Sequence, residues 1–173
     1  MSASRLYTSL LLLLCVLGFL VSVYAYHVEI TKERDSSYRA MCDISAKISC
    51  SKVFTSRWGR GFGLIELVVG DHHHWLNQPN SVFGILYYMT QVVLGVFCPT
   101  VTAATMQLVI SVTACLGCVY LAYILYFVLE DFCVVCVSSY IINAIILIVN
   151  ILNLNLVKSN SRKSEGSRRK KEQ

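Results

Sequence analysis

The sequence has few charged residues, and long stretches of it have none. Only 14% of the 173 residues are Asp, Glu, Lys or Arg, whereas 55% are hydrophobic, and the mean hydropathy is +0.59. The hydrophobic residues occur in continuous runs rather than at helical or strand spacing, which excludes an ordinary soluble domain and indicates membrane spans. The length is that of one compact domain.

Four charge-free runs are long enough, or nearly so, to cross a bilayer, which takes about 20 apolar residues. They are residues 6–26, 81–97, 101–129 and 132–157. We therefore predict an all-α membrane protein. It would be a four-helix transmembrane bundle forming a single domain, with a cap loop at residues 27–80 between the first and second spans.

The C-terminal residues 158–173 are strongly basic, with seven Lys or Arg residues against Glu165 and Glu172. Because cytoplasmic segments next to a span carry an excess of Lys and Arg, we predict a cytosolic tail. Binding of nucleic acid or anionic lipid is the less favoured interpretation. Four spans place the N-terminus in the cytosol too, so the cap loop and the Glu130-Asp131 turn would face a lumen.

The two ends of the chain also bear on its location. Residues 170–173 match the KKxx retrieval signal of endoplasmic reticulum membrane proteins, which requires a cytosolic C-terminus. We therefore predict a multi-pass protein of that membrane. The first run could instead be a signal peptide cleaved after Val23-Tyr24-Ala25, but it is longer than the usual apolar core of such a peptide. Cleavage would leave three spans and would not change the side of any cysteine pair.

Two cysteine pairs share the predicted luminal side. Cys42 and Cys50 have Cx7C spacing in the cap loop, and Cys133 and Cys136 form a CxxC where the last span begins. A structural zinc site needs four ligands, and no second CxxC lies in a polar loop. Because the lumen is oxidising, cysteine pairs there can form disulfides. Two such pairs in one compartment predict a thiol–disulfide relay, and the alternative is a static disulfide beside two packing cysteines.

The remaining cysteines are expected to be structural. Cys115 and Cys118 also form a CxxC, but they lie in the middle of the third span, where desolvation disfavours a thiolate and small residues permit close helix packing. Cys15 is predicted to be a core residue, and Cys98 lies near the cytosolic interface. Three adjacent histidines, residues 72–74, cannot share a helix face, and no ligand cluster completes a site, so no bound metal is expected.

Helical spacing places Cys133, Cys136, Tyr140 and Asn143 on one face of the last span. Polar side chains within a span tend to face the bundle interior or a cavity. Cys133 would meet thiols on the luminal side. Cys136 lies about one turn deeper and would meet whatever occupies the bundle.

A similar face of the second span carries several aromatic side chains. Its members are Asn80, Phe83, Gly84, Tyr87 and Tyr88. Aromatic rings with a few polar groups are typical of a pocket for a flat, mostly apolar ligand. An interfacial aromatic belt is the alternative for the outer residues. Asn80 or Ser81 could also be the N-cap of this helix.

Five motifs, in order along the chain, resemble the vitamin K epoxide reductases, which are animal endoplasmic reticulum enzymes with a close paralogue. The motifs are the Cx7C that begins at Cys42-Asp43, SRWGRGFG at residues 56–63, LNQPNSVFG at residues 76–84, YLAY at residues 120–123 and DFCVVC at residues 131–136. Together they extend over most of residues 26–150. The N-terminal stretch and the basic tail contribute little to the resemblance.

The resemblance implies reduction of vitamin K 2,3-epoxide to the quinone, and of the quinone to the hydroquinone. Cys136 would attack or contact the substrate, and Cys133 would exchange with Cys50. Cys42 would receive electrons from a luminal thioredoxin-like oxidoreductase. No flavin, nicotinamide or metal motif is present, so we expect no bound cofactor and electron transfer through cysteines alone.

The same resemblance implies how the substrate is held. Asn80 and Tyr140 would form hydrogen bonds to its oxygens, and Phe83 and Tyr87 would line the ring pocket. The position of Tyr87 is more often Phe in the relatives. The family is the target of warfarin-type anticoagulants, so coumarin binding is implied as well.

Two other functions compete with this one. A quinone-linked generator of disulfides would use the same cysteines but transfer electrons in the opposite direction. The direction of electron transfer depends on the reduction potentials of the cysteine pairs and the quinone. A non-enzymatic four-span scaffold with a disulfide-stapled loop would account for Cys42 and Cys50. That scaffold gives no reason for Cys133 and Cys136 beside Tyr140.

Overall fold

The apolar runs form helices because, within a bilayer, a backbone can satisfy its hydrogen bonds only internally. A computed structural model describes residues 3–45, 47–65, 77–98 and 100–171. Its long helices are α1 (Ala3–Arg34), α3 (Asn80–Phe97), α4 (Val101–Tyr123, continued by a π-helical turn at Ile124–Val128) and α5 (Val134–Lys171). All four are long and apolar enough to cross a membrane, which confirms the predicted all-α class and number of spans.

Two helices extend beyond the predicted spans. α1 continues past residue 26 to Arg34, and α5 continues through the basic tail to Lys171. At the end of α1, the Lys32 ammonium donates hydrogen bonds to the carbonyls of Ser36 (2.6 Å) and Tyr38 (2.8 Å). Basic residues suit a helix C-terminus because the last carbonyls are unpaired and carry partial negative charge. Charge therefore marks the end of the apolar run but not the end of the helix.

The bundle core lies where α1 packs against α3 and α5. It contains Cys15, which is 1% exposed and was predicted to be a core residue. The Tyr88 ring lies directly against Gly18, where any Cβ would collide with it. The remaining buried members of this cluster are Leu11, Leu14, Ile146 and Val149.

A buried polar network joins α3, α4 and α5. The Asn150 amide on α5 donates to Gln91 Oε1 (3.0 Å) and to Ser111 Oγ (2.7 Å). Gln91 Nε2 also donates to Ser111 Oγ (2.9 Å), and Gln107 Nε2 donates to the Gln91 carbonyl (3.0 Å). Hydrogen bonds of this kind fix the relative positions of helices that are otherwise apolar.

The connection between α1 and α3 is built from short elements at one end of the bundle. It contains α2 (Cys50–Phe54), whose N-cap Ser49 accepts a hydrogen bond from the Lys52 backbone N–H. Two 3-10 turns follow, at Arg57–Gly59 and Gly61–Gly63. α2 packs against both α1 and α5, so the connection lies against the start of the last helix. The histidines at residues 72–74 fall outside the described residues.

Candidate functional site

The Cx7C motif forms a loop that is closed by a Cys42–Cys50 disulfide, with 5.8 Å between the two Cα atoms. Cys50 is fully buried, whereas Cys42 is half-buried and lies 3.8 Å from the Tyr24 hydroxyl. The sulfur of Cys42 is therefore the more accessible of the two from outside the protein.

Asp43 organises this loop. Its carboxylate accepts hydrogen bonds from the backbone N–H groups of Ala40 (2.9 Å) and Ser51 (3.0 Å), and from the hydroxyls of Ser49 (2.9 Å) and Ser51 (2.6 Å). Partial burial opposes ionisation, but these hydrogen bonds outweigh it and lower the pKa of Asp43 to about 2. The carboxylate is consequently charged at neutral pH and holds the residues on both sides of Cys50.

The second cysteine pair lies at the start of α5. Cys133 is fully buried, and the Cys136 N–H donates a hydrogen bond to its sulfur at 3.4 Å. The Cys133 sulfur thus lies at the N-terminal end of α5, where unpaired backbone N–H groups favour a thiolate. Cys133 is therefore the member of the pair suited to react with another sulfur outside the cavity.

The two cysteine pairs lie in and around one buried cluster. Cys50 and Cys133 are both 0% exposed and belong to one buried cluster, and Cys42, Cys136 and Tyr140 pack against that cluster. Residues that are far apart in sequence thus meet where α2 lies against the start of α5. The static-disulfide alternative does not require this contact.

Backbone pairing and one ion pair dock the Cx7C loop onto the segment before Cys133. The Phe132 N–H donates to the Lys47 carbonyl (2.8 Å), and the Ser49 N–H donates to the Phe132 carbonyl (3.2 Å). The Lys52 ammonium lies 2.5 Å from the Asp131 carboxylate. The Lys52 side chain is 61% exposed and the Asp131 side chain only 2%, so Lys52 supplies a counter-charge to a buried anion.

A cavity of about 440 Å³ lies inside this end of the bundle. Five of the eight predicted site residues line it: Cys136, Tyr140, Asn80, Phe83 and Tyr87. Asn143 lines it too, so the predicted stripe on α5 faces the cavity below Cys133. Its walls are mostly apolar, which suits a flat hydrophobic ligand.

Asn80 is not the N-cap of α3, and neither is Ser81, because the helix begins at Asn80 itself and its N-cap residue is Pro79. The Asn80 amide instead holds the connection in place. Its Oδ1 accepts a hydrogen bond from the Phe62 N–H (2.9 Å), and its Nδ2 donates to the Trp58 carbonyl (2.7 Å). An amide has two N–H groups, so the second N–H of Asn80 can donate a hydrogen bond to a ligand.

Aromatic residues of the connection close the cavity, a role that sequence reasoning missed. Phe54, Trp58 and Phe62 all line it. The Phe62 ring contacts that of Phe83 with 5.5 Å between centroids, and Trp58 meets Tyr120 edge-on at 6.4 Å. The run of aromatic and glycine residues at 56–63 was visible in the sequence, but its position over the cavity depends on tertiary contacts.

Arg60 ties the same connection to α1. Its Nε donates to Glu29 Oε1 (3.0 Å) and its Nη2 donates to Glu33 Oε1 (2.6 Å). Glu29 is 2% exposed and lines the cavity, so Arg60 also neutralises a carboxylate that would otherwise be a buried, unpaired charge.

The two tyrosines of α3 differ in how they are placed. The Tyr87 hydroxyl donates to Ser111 Oγ at 3.4 Å, so the ring of Tyr87 is the part left to contact a ligand. The buried Tyr88 hydroxyl donates to Asn143 Oδ1 at 2.9 Å. This bond fixes the orientation of the Asn143 amide on the cavity wall.

The two cysteines of the second CxxC lie in different environments. Cys115 donates a hydrogen bond to the Asn143 carbonyl at 3.5 Å and packs between helices, as predicted. Cys118 lines the cavity, where the Asn143 Nδ2 donates to its sulfur at 3.2 Å. In the described residues, no group of three or more His, Cys, Asp or Glu side chains is placed to hold a metal ion.

Comparison with known proteins shows the family to which the chain belongs. The sequence matches the Vitamin K epoxide reductase family over residues 9–151. It is 51% identical over 133 residues to Vitamin K epoxide reductase complex subunit 1 of Mus musculus, which is 76% of this chain and 81% of the relative. It is 49% identical over 134 residues to the Rattus norvegicus protein of the same name, 77% and 81% of the respective chains. This multi-pass membrane oxidoreductase belongs to the vitamin K epoxide reductase family.

Proposed function

We propose that this protein reduces vitamin K 2,3-epoxide to vitamin K quinone, and the quinone to the hydroquinone, with electrons that pass through Cys42/Cys50 to Cys133/Cys136. The observation that carries the proposal is the shared burial of Cys50 and Cys133 in one cluster, beside a cavity that Cys136 faces. A thiol relay needs its two pairs close together and a substrate site next to the last sulfur, and the shared cluster and the cavity support both requirements.

The relay begins outside the cluster. A thioredoxin-like dithiol attacks the accessible Cys42 sulfur, breaks the Cys42–Cys50 disulfide and is itself oxidised. The freed Cys50 thiolate attacks Cys133 of an oxidised Cys133–Cys136 pair, and Cys136 leaves as a thiolate. Cys42 then attacks Cys50 and releases Cys133. The Cx7C disulfide is restored, and one pair of electrons has moved to the inner dithiol.

Substrate reduction begins with attack of the Cys136 thiolate on an epoxide carbon. The S–C bond forms as the C–O bond breaks, and the developing alkoxide is stabilised by hydrogen bonds from Tyr140 and Asn80. Cys133 then attacks the sulfur of Cys136, and the electrons of the S–C bond restore the ring double bond as the hydroxyl leaves as water. The products are the quinone and a Cys133–Cys136 disulfide.

Phe83 and Tyr87 would hold the ring system from the α3 side, and Phe54, Trp58 and Phe62 would cover it from the connection. The mostly apolar walls exclude water, which strengthens the hydrogen bonds to the reacting oxygen. The same features support binding of coumarin-type inhibitors in this cavity. We place the protein in the endoplasmic reticulum membrane, with both termini cytosolic and the connection luminal.

The test compares two variants in membranes supplied with vitamin K epoxide and a small membrane-permeant dithiol. Cys136→Ala should abolish quinone formation with any reductant, whereas Cys42→Ala should retain activity with the small dithiol and lose it with a thioredoxin-like protein. Cys98→Ala is a matched control, because Cys98 is exposed and lies outside the cavity. Equal loss of activity in both variants would contradict the relay. Activity in Cys136→Ala would contradict the substrate site.

A further inference from the structure

The cavity wall contains a thiol that the relay does not use. Cys118 on α4 and Cys136 on α5 both line the cavity, so a molecule bound there would lie against both residues. We propose that Cys118 is a covalent modification site for quinones that have an unsubstituted ring carbon. The inference rests on the proposed function only in naming the quinone that would compete for the cavity.

Asn143 contacts the Cys118 sulfur and offsets part of the cost of placing negative charge there. Its Nδ2 donates a hydrogen bond to that sulfur at 3.2 Å, and its Oδ1 is held by the Tyr88 hydroxyl at 2.9 Å. The sulfur is therefore the acceptor in its contact with Asn143, and the S–H bond is not consumed there. An N–H aimed at the sulfur also stabilises the negative charge that develops when the S–H bond breaks.

The other free cysteines are placed differently. Cys115 uses its S–H in a hydrogen bond to the Asn143 carbonyl and does not line the cavity. Cys15 is 1% exposed within the core of the bundle, and Cys98 is exposed at the far end of α3. Among the described residues of the cavity wall, Cys118 is thus the thiol that remains when Cys133 and Cys136 are joined as a disulfide.

The reaction is a conjugate addition and needs no external oxidant. The Cys118 sulfur bonds to the unsubstituted ring carbon of a 1,4-quinone as its S–H bond breaks, and the proton goes to a carbonyl oxygen. The hydrogen on the attacked carbon then shifts to the second carbonyl oxygen, which leaves a thioether-linked hydroquinone. A quinone that carries substituents on both carbons of that double bond has no such position and occupies the cavity without this adduct.

The experiment uses the full chain in membranes, oxidised mildly with diamide so that Cys133 and Cys136 form a disulfide. The probe is 2-methyl-1,4-naphthoquinone, and its adducts are mapped by peptide mass spectrometry. We expect an adduct on Cys118, its loss in Cys118→Ser, and its retention in the matched variant Cys115→Ser. Cys15 should react only after denaturation. A fully substituted naphthoquinone at ten times its dissociation constant should slow modification of Cys118 about tenfold, and should not protect Cys98.

The outcomes distinguish failure of the Cys118 modification site from failure of the proposed function. If Cys118 in the folded protein reacts no faster than Cys15, while both react after denaturation, the modification site is refuted and the proposed function is unaffected. If Cys118 reacts but the substituted quinone gives no protection, Cys118 is a reactive thiol but the cavity is not the quinone site. In that case the proposed function fails.

Discussion

Lys52 and Asp131 offer a direct way to test how the two cysteine pairs are aligned. Their charged groups are 2.5 Å apart and join α2 to the segment just before Cys133. An exposed ion pair contributes about 0–1 kcal/mol, whereas leaving a buried charge unpaired costs about 3–5 kcal/mol. Here the anion is buried and the cation is 61% exposed. We therefore expect Lys52→Met to weaken docking of α2 onto the segment before Cys133 by about 1–2 kcal/mol, which lowers the equilibrium constant for docking by roughly 5- to 30-fold.

The assay follows formation of a Cys50–Cys133 disulfide, with diamide as the oxidant that accepts the two electrons, in a chain whose other two relay cysteines, Cys42 and Cys136, are replaced by Ala. Lys52→Met should slow its formation by that factor, and Lys52→Glu should slow it further through repulsion from Asp131. In an otherwise unchanged chain, reduction of the Cys133–Cys136 disulfide by a small dithiol should be much less affected. Reduction by the small dithiol does not require α2 to be docked.

Lys47→Met is the matched control, because Lys47 contacts Phe132 through its backbone carbonyl. A double-mutant cycle completes the argument, since Lys52→Met should have little further effect once Asp131 is Asn. If the two lysine variants behaved alike, or if Lys52→Met were equally damaging beside Asp131→Asn, the ion pair would have no role in alignment.

Three further predictions follow from single contacts. Because the pKa of Asp43 is depressed to about 2, its stabilising effect should be complete above the ordinary carboxylate pKa of about 4 and lost as the pH falls towards 2, so thermal unfolding of Asp43→Asn should lack this acid dependence. Asn80→Ala removes the donor to the Trp58 carbonyl and the acceptor for the Phe62 N–H and should weaken quinone binding by about tenfold or more; Asn80→Asp should weaken it at least as much, because it keeps the acceptor but places a carboxylate oxygen against the Trp58 carbonyl, as measured by ligand protection of the cavity. Gly18→Ala places a Cβ in the Tyr88 ring and should lower the free energy of unfolding by about 1–3 kcal/mol, which thermal unfolding in detergent can detect.

Much of the fold could be predicted because a bilayer imposes a length and a polarity on each span. The absence of charge located all four long helices, but it could not locate the end of α1. The last turn of that helix, near Arg34, is polar and is stabilised by hydrogen bonds from Lys32 to the chain that follows. Those contacts depend on where the connection turns, which periodicity does not reveal.

The residues of the site, like the fold, could be predicted only in part from the sequence. The stripe of Cys136, Tyr140 and Asn143 could be predicted because polar residues at helical spacing in an apolar span identify its inner face. Cys118 could not be assigned, because apolar residues occur all around α4 and the rotation of this helix is set by packing. The aromatic cover from the connection was also missed, because it is positioned by Asn80, whose two hydrogen bonds cross 18 and 22 residues of sequence.

The connection has two roles that its contacts make inseparable. At one end, Lys52 and the backbone of Ser49 hold α2 against the segment just before Cys133. At the other end, Asn80 and Arg60 hold aromatic side chains against the cavity. Since α2 and the 3-10 turns follow each other directly, a shift large enough to separate Cys50 from Cys133 would also disturb the cavity wall. A ligand that fills the cavity and packs against the connection should therefore favour the docked arrangement, and formation of the Cys50–Cys133 bond should in turn favour ligand binding by the same factor.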